Sequence, residues 1–165
     1  MKKDVAIIGG ATSCLSQDLE NLTGDEVTIA INHHFYVFTT SHPVQITPDY
    51  MAFLDDMDRS ENNLRQAYGA FPGKTISIRK GQSDYLVKDH KKLKISDSGQ
   101  LAVYWASTVF DGTIKLCGFN LRANTRKARR DDTIQKWQEF LDHLGNTDKL
   151  IAYQEPLKEM IHGSA

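Results

Sequence analysis

The chain is poor in the residues that mark several large protein classes. Among 165 residues there are two cysteines, four prolines and two tryptophans, and the formal net charge is −1. Two cysteines a hundred residues apart, Cys14 and Cys117, form neither a disulfide framework nor a metal-ligand pair, and Cys117 reads as a buried free thiol in a reducing, cytoplasmic setting. No run approaches the ~18–20 apolar residues needed to cross a bilayer, so no membrane partner is expected. Lys2 and Lys3 precede an apolar run too short for a secretory signal. Near-neutral charge removes any global attraction to nucleic acid or to an anionic surface. Neither the P-loop pattern nor G-x-G-x-x-G occurs, which takes support from those two nucleotide-binding classes.

What is present is an ordered alternation of strand and helix signals. Val5-Ala6-Ile7-Ile8 is a short, wholly apolar run, the pattern of a strand buried on both faces of a parallel sheet. Gly9-Gly10-Ala11-Thr12-Ser13 turns the chain into a helix that Ser13 or Ser16 can cap. Further strands are predicted at 26–31, 49–54, 75–78 and 113–117, with short ones at 85–87 and 150–152. Helices are predicted around Leu64, Ala67 and Tyr68, over 100–110, from Asp131-Asp132-Thr133 to Gly145, and over 156–161. The helix over 100–110 is apolar nearly all round and belongs inside. The pattern predicts an α/β fold over residues 1–165: one Rossmann-like nucleotide-binding domain, a mostly parallel sheet with helices on both faces.

In such sheets ligands bind beyond the carboxyl ends of the strands, where the strand order reverses. That rule gathers residues 9–13, Asn32, His33, His34, Asp55, Asp56, Ser98, Gly99 and 118–120 along one edge. The first loop leads into a helix N-terminus, which suits a phosphate or carboxylate. Asn32 either reads a base or sugar or holds an Asx-turn. His33 and His34 are adjacent and point to opposite sides of an extended segment, so a shared metal is disfavoured and one of them faces the cleft. Asp55 either holds Mg²⁺ through a carboxylate or caps a helix. At Ser98-Gly99 a hydroxyl and backbone amides either bind an anion or form an ordinary helix start. Arg122, Arg126, Lys127, Arg129 and Arg130 make a local basic cluster, either a lid over polyphosphate or a solvated charge run. It lacks the interleaved aromatics of a single-strand nucleic-acid surface.

Four segments, taken together, resemble the sialyltransferase-like Rossmann proteins. That group includes bacterial sialyltransferases, archaeal-type 6-hydroxymethylpterin diphosphokinases and small phage-encoded relatives. Ile7-Ile8-Gly9-Gly10-Ala11-Thr12-Ser13 is similar to the group's strand and G-N-G-P-S turn, and Ile29-Ala30-Ile31-Asn32-His33-His34-Phe35 to its second-strand V-N motif. Pro48-Asp49-Tyr50 through Asp55 resembles its P-D-Y…D segment, and Ser98-Gly99 through Gly118-Phe119-Asn120-Leu121 its late S-G…G-F-D unit. The resemblance implies a nucleotide-dependent transferase, moving a glycosyl or phosphoryl group, with the nucleotide held by Gly9, Gly10, Ala11, Thr12, Ser13, Asn32, Ser98, Gly99, Phe119 and Asn120. The donor is a cytidine monophosphate sugar in the sialyltransferases and ATP with Mg²⁺ in the pterin enzymes. On this reading Asp55, as metal ligand or base, and His33 or His34 are catalytic, while Arg122, Arg126 and Lys127 bind phosphate. The chain departs from the group at Gly10 and Thr12, which replace its loop Asn and Pro, and at Asn120, which replaces its late Asp. A late general-base His is not matched by His90 or His143. These departures favour the alternative of an inactive protein that captures a nucleotide. Homo-oligomerisation stays open.

Overall fold

The computed structural model describes residues 3–32, 47–56, 71–122 and 126–163. Seven strands form one sheet: β1 (Val5–Ile8), β2 (Val27–Ile31), β3 (Tyr50–Ala52), β4 (Lys74–Ser77), β5 (Tyr85–Leu86), β6 (Ile114–Cys117) and β7 (Leu150–Ala152). The described helices are α1 (Thr12–Leu19), α2 (Ser98–Val109), α3 (Lys127–Leu144) and α4 (Leu157–His162). Every strand pair is parallel, and the spatial order is β5-β4-β3-β2-β1-β6-β7. This is the α/β architecture that the alternating pattern predicts.

The apolar run at the start of the chain occupies the middle of the sheet. Val5 pairs with Val27 on one side and Ile114 on the other, and all four residues of β1 are fully buried. Alternation along the strand sends Val5 and Ile7 to one face and Ala6 and Ile8 to the other. The first face carries most of the core, with Leu101, Ala102 and Trp105 of α2, Trp137 and Phe140 of α3, and Leu157 of α4. The second face packs on Leu15 and Leu19 of α1 together with Cys117. α2, lacking a wet side over most of its length, lies where an all-apolar helix is expected.

The differences from the sequence reading are local. β3 is shorter than residues 49–54: the Phe53 N–H still bonds the Ile76 carbonyl of β4, but the Leu54 N–H turns away to the Ser98 hydroxyl of α2. Neither Ser13 nor Ser16 caps α1. The N-cap position falls on Ala11, whose N–H donates to the Gly118 carbonyl at 2.9 Å, so a tertiary contact sets the helix start and both serines lie within the helix. α3 begins at Lys127 rather than Asp131, four residues into the basic cluster, since Lys, Ala and Arg are good helix formers without any apolar periodicity to announce them. The helix predicted around Leu64, Ala67 and Tyr68 lies outside the described residues, as do His33 and His34.

Candidate functional site

Strand order reverses between β1 and β6: chain order runs outward from β1 through β5, then α2 carries the chain back to β6 on the other side of β1. The two strand ends are locked together there. Gly9 donates its N–H to the Cys117 carbonyl at 2.7 Å. A Cβ on Gly9 would stand 2.6 Å from the Gly118 carbonyl oxygen, so only glycine permits this approach of two backbones. Asp18 of α1, fully buried, fixes the same wall: its Oδ2 accepts the Gly118 N–H at 2.9 Å and its Oδ1 accepts from Gln154 Nε2 at 2.7 Å.

A cavity of about 300 Å³ opens at this point, within the range of small-ligand sites. Among its lining residues are Gly9, Gly10, Ala11, Asn32, Ser98, Gly99, Phe119 and Asn120, eight of the ten that the sequence associates with a nucleotide. Ser13 is exposed and does not line it. Thr12 opens α1.

Ser98 ties three elements into the wall. Its hydroxyl donates to Asn32 Oδ1 at 2.7 Å and accepts the Leu54 N–H at 3.1 Å. Asn32 adopts φ +52°, a left-handed conformation that Asn tolerates better than most residues, and its own N–H donates to the Ala52 carbonyl at 2.9 Å. With its oxygen committed to Ser98, its Nδ2 donors have no partner among the described residues. Gly99 permits close packing, since a Cβ there would meet Phe119 at 2.6 Å, and Phe119 in turn stands edge-on to Trp137 with ring centres 5.8 Å apart.

Two lining residues escape a motif-based reading, Asp97 and Trp137. Asp97 is the N-cap of α2: Oδ1 accepts the Gln100 N–H at 2.8 Å and Oδ2 accepts the Trp137 indole N–H at 2.9 Å. Burial pushes its carboxyl above the ordinary range, against the lowering effect of those bonds and of a further one from the Gly99 N–H. The start of α2, expected to offer amides to an anion, thus already serves the protein's own carboxylate. An Asp as N-cap just ahead of an apolar helix was a readable signal. Its indole partner was not, because it lies forty residues further along.

The basic segment divides. Arg122, Arg126 and Lys127 are exposed, and no acidic residue sits in the first turn of α3, so cations crowd the positive end of that helix. Helical spacing sets Arg126 and Arg130 on the stripe of Thr133 and Trp137, which line the cavity, whereas Lys127 falls off it. Asn120 accepts the Arg122 N–H at 3.0 Å through its side chain. Asp55 is exposed beyond the end of β3 and does not line the cavity, and its neighbour Asp56 accepts from Gln82 Nε2 at 2.8 Å. Among the described residues no three His, Cys, Asp or Glu side chains come together as a metal centre.

A larger open groove, about 770 Å³, lies at the amino ends of the strands. Two of its acidic groups, Asp49 and Glu26, are already engaged within the protein. Asp49 Oδ2 accepts the Thr28 N–H at 2.9 Å, and Glu26 accepts from Thr23, Gly24 and Lys115. The carboxyl edge, where α/β sheets hold ligands, is therefore the better candidate.

Fold and cavity define a doubly wound parallel α/β protein with a ligand-sized cleft at its switch point, and no described helix is long and apolar enough to cross a membrane. Among solved structures the chain is similar to thiamine pyrophosphokinase from Bacillus subtilis, with a TM-score of 0.50 and 16% sequence identity over 93% of this chain. The match spans 60% of that structure's length, and the likeness is one of fold. No protein-family model matches the sequence, and no curated protein matches it either.

Proposed function

We propose that the chain is a nucleotide-dependent transferase, moving a phosphoryl or diphosphoryl group from a donor seated in the switch-point cleft. The observation that carries this reading is the cleft itself, with an uncapped helix start on one side and the Asn32 Nδ2 donors beside it. α1 opens without a side-chain cap and without an acidic residue in its first turn, so nothing on the helix itself neutralises its positive end, which suits phosphate oxygens. Asn32 Nδ2 donates to the sugar or base. Arg126 and Arg130, with Arg122 and Lys127 of the same basic segment, balance the phosphate charge. Transfer of this kind depends chiefly on positioning and electrostatics, which such a wall supplies. The fold likeness to a pyrophosphokinase favours diphosphoryl transfer over the glycosyl transfer that the sialyltransferase side of the resemblance implies.

Asp55 is the carboxylate assigned to Mg²⁺ or to the base role, and His33 or His34 assists. Asp55, exposed and outside the cavity lining, would hold Mg²⁺ beside phosphates that extend out of the cleft, where the ion would supply charge neutralisation. A second reading, capture without turnover, is favoured by Asn120 standing where the resemblance places an acid. One experiment separates the two. The purified protein is incubated with nucleoside triphosphates and nucleotide-sugars, and both product and recovered ligand are measured by mass spectrometry. Product formation supports the transferase. Tight binding with intact ligand recovered supports capture, and binding to no nucleotide rejects both.

A further inference from the structure

The carboxylate of Asp97 gives the cleft a second, oppositely charged pole. The two helix starts that meet there differ in kind. α1 begins at Ala11 with no side-chain cap, while α2 begins under a full carboxylate. Only the first can receive an anion; at the second the Asp97 carboxyl oxygens already take the leading amide of Gln100 and would face a phosphate with further oxygen lone pairs.

A carboxylate has about four lone-pair sites. The Gln100 N–H and the Trp137 indole N–H fill two of them, one on each oxygen. This residue of the cavity wall therefore keeps acceptor capacity, held rigidly because Trp137 is buried and its ring is braced by Phe119 and Phe140. A rigid acceptor that is not fully satisfied selects for a ligand group that completes it, and penalises one that cannot.

We infer that Asp97 is a specificity-determining residue that accepts an N–H or O–H donor from the nucleoside half of the ligand, while the phosphates lie toward α1. This deepens the nucleotide reading and rests on it. The cleft would then take molecules with a phosphate at one end and a hydrogen-bond donor at the other, and would discriminate against a bare polyphosphate of equal charge.

The test compares inorganic tripolyphosphate with ATP, CTP, GTP and UTP by isothermal titration, using the full chain. In the wild type at least one nucleoside triphosphate should bind about tenfold or more tightly than tripolyphosphate. Asp97→Asn and Asp97→Ser both keep an oxygen able to cap α2. In either variant nucleotide affinity should fall and tripolyphosphate affinity rise, so that the ratio collapses about tenfold. A wild type that binds tripolyphosphate as tightly as every nucleotide overturns the inference without any variant. So does a folded variant that keeps the wild-type ratio, and in both cases the nucleotide site itself survives. Binding of nothing in the panel by the wild type overturns the nucleotide reading and this inference together.

Discussion

The hydroxyl of Ser98 lies 2.7 Å from Oδ1 of Asn32 and donates to it, joining residues sixty-six positions apart at the cleft wall. The same oxygen accepts the Leu54 N–H, so one buried hydroxyl holds the ends of β2 and β3 against the start of α2. Ser98→Ala leaves a half-buried acceptor and a backbone donor unmatched. The expected cost is about 1–3 kcal/mol in unfolding free energy, read by urea denaturation. An unchanged midpoint would show that water replaces the hydroxyl without penalty.

Gly9→Ala introduces a methyl against backbone rather than against a movable side chain, 2.6 Å from the Gly118 oxygen. The strand ends must separate, at a cost of about 1–3 kcal/mol, and the cleft wall separates with them. Nucleotide affinity should therefore fall along with stability. A variant of wild-type melting temperature and affinity would mean that β1 and β6 are not clamped here.

Acid should unfold the protein partly through Glu26. Burial, the largest influence on this group, opposes its ionisation. The Lys115 ammonium at 2.7 Å and the N–H and hydroxyl of Thr23 outweigh it and bring the pKa from 4.5 down to about 2. A lowered folded-state value means stabilisation that is complete above about pH 4.5 and lost as pH falls toward 2, on the order of 3 kcal/mol in all. In Lys115→Met the stability curve between those limits should flatten. A variant with the wild-type acid slope would remove Glu26 from the account.

Both thiols should resist modification in the folded state. Burial, with Asp18 adding to it, pushes Cys14 up to about 11 and Cys117 up to about 12, so almost no thiolate exists at pH 8. Ellman's reagent should leave the native protein unreacted and titrate two thiols in denaturant. Rapid release of one equivalent from native protein would contradict the burial of that cysteine.

Asp55→Ala separates chemistry from folding, because the side chain is exposed. Stability should stay within about 0.5 kcal/mol of wild type. Turnover, with whichever donor proves active, should fall by about 10²-fold or more. Full activity in the variant would reject the assigned role.

The layout of the sheet was readable because β1 is apolar on every residue, which only a central parallel strand requires, and because α2 has almost no polar side. The strand-end rule then places Gly9, Asn32, Ser98 and Asn120 on one rim without any further information, and all four line the cavity. What escaped the reading depends on contacts between distant segments. The start of α1 is set by a bond from Ala11 to Gly118, so nearby serines mislead, and Asp97 gains its character from Trp137, which periodicity marks only as core. Arg130 gains its place from the true start of α3, hidden in a charged run without an apolar rhythm.

The central position of β1 has a consequence for biosynthesis. Residues 5–8 leave the ribosome well before residues 114–117, which complete one flank of that strand. Until those emerge, a hydrophobic ribbon stands with an open edge, and Gly9 has no neighbour to lean on. The cleft thus comes into being only once β6 has been made, and a nascent chain halted before Gly118 would carry the first loop of the site with nothing to close it.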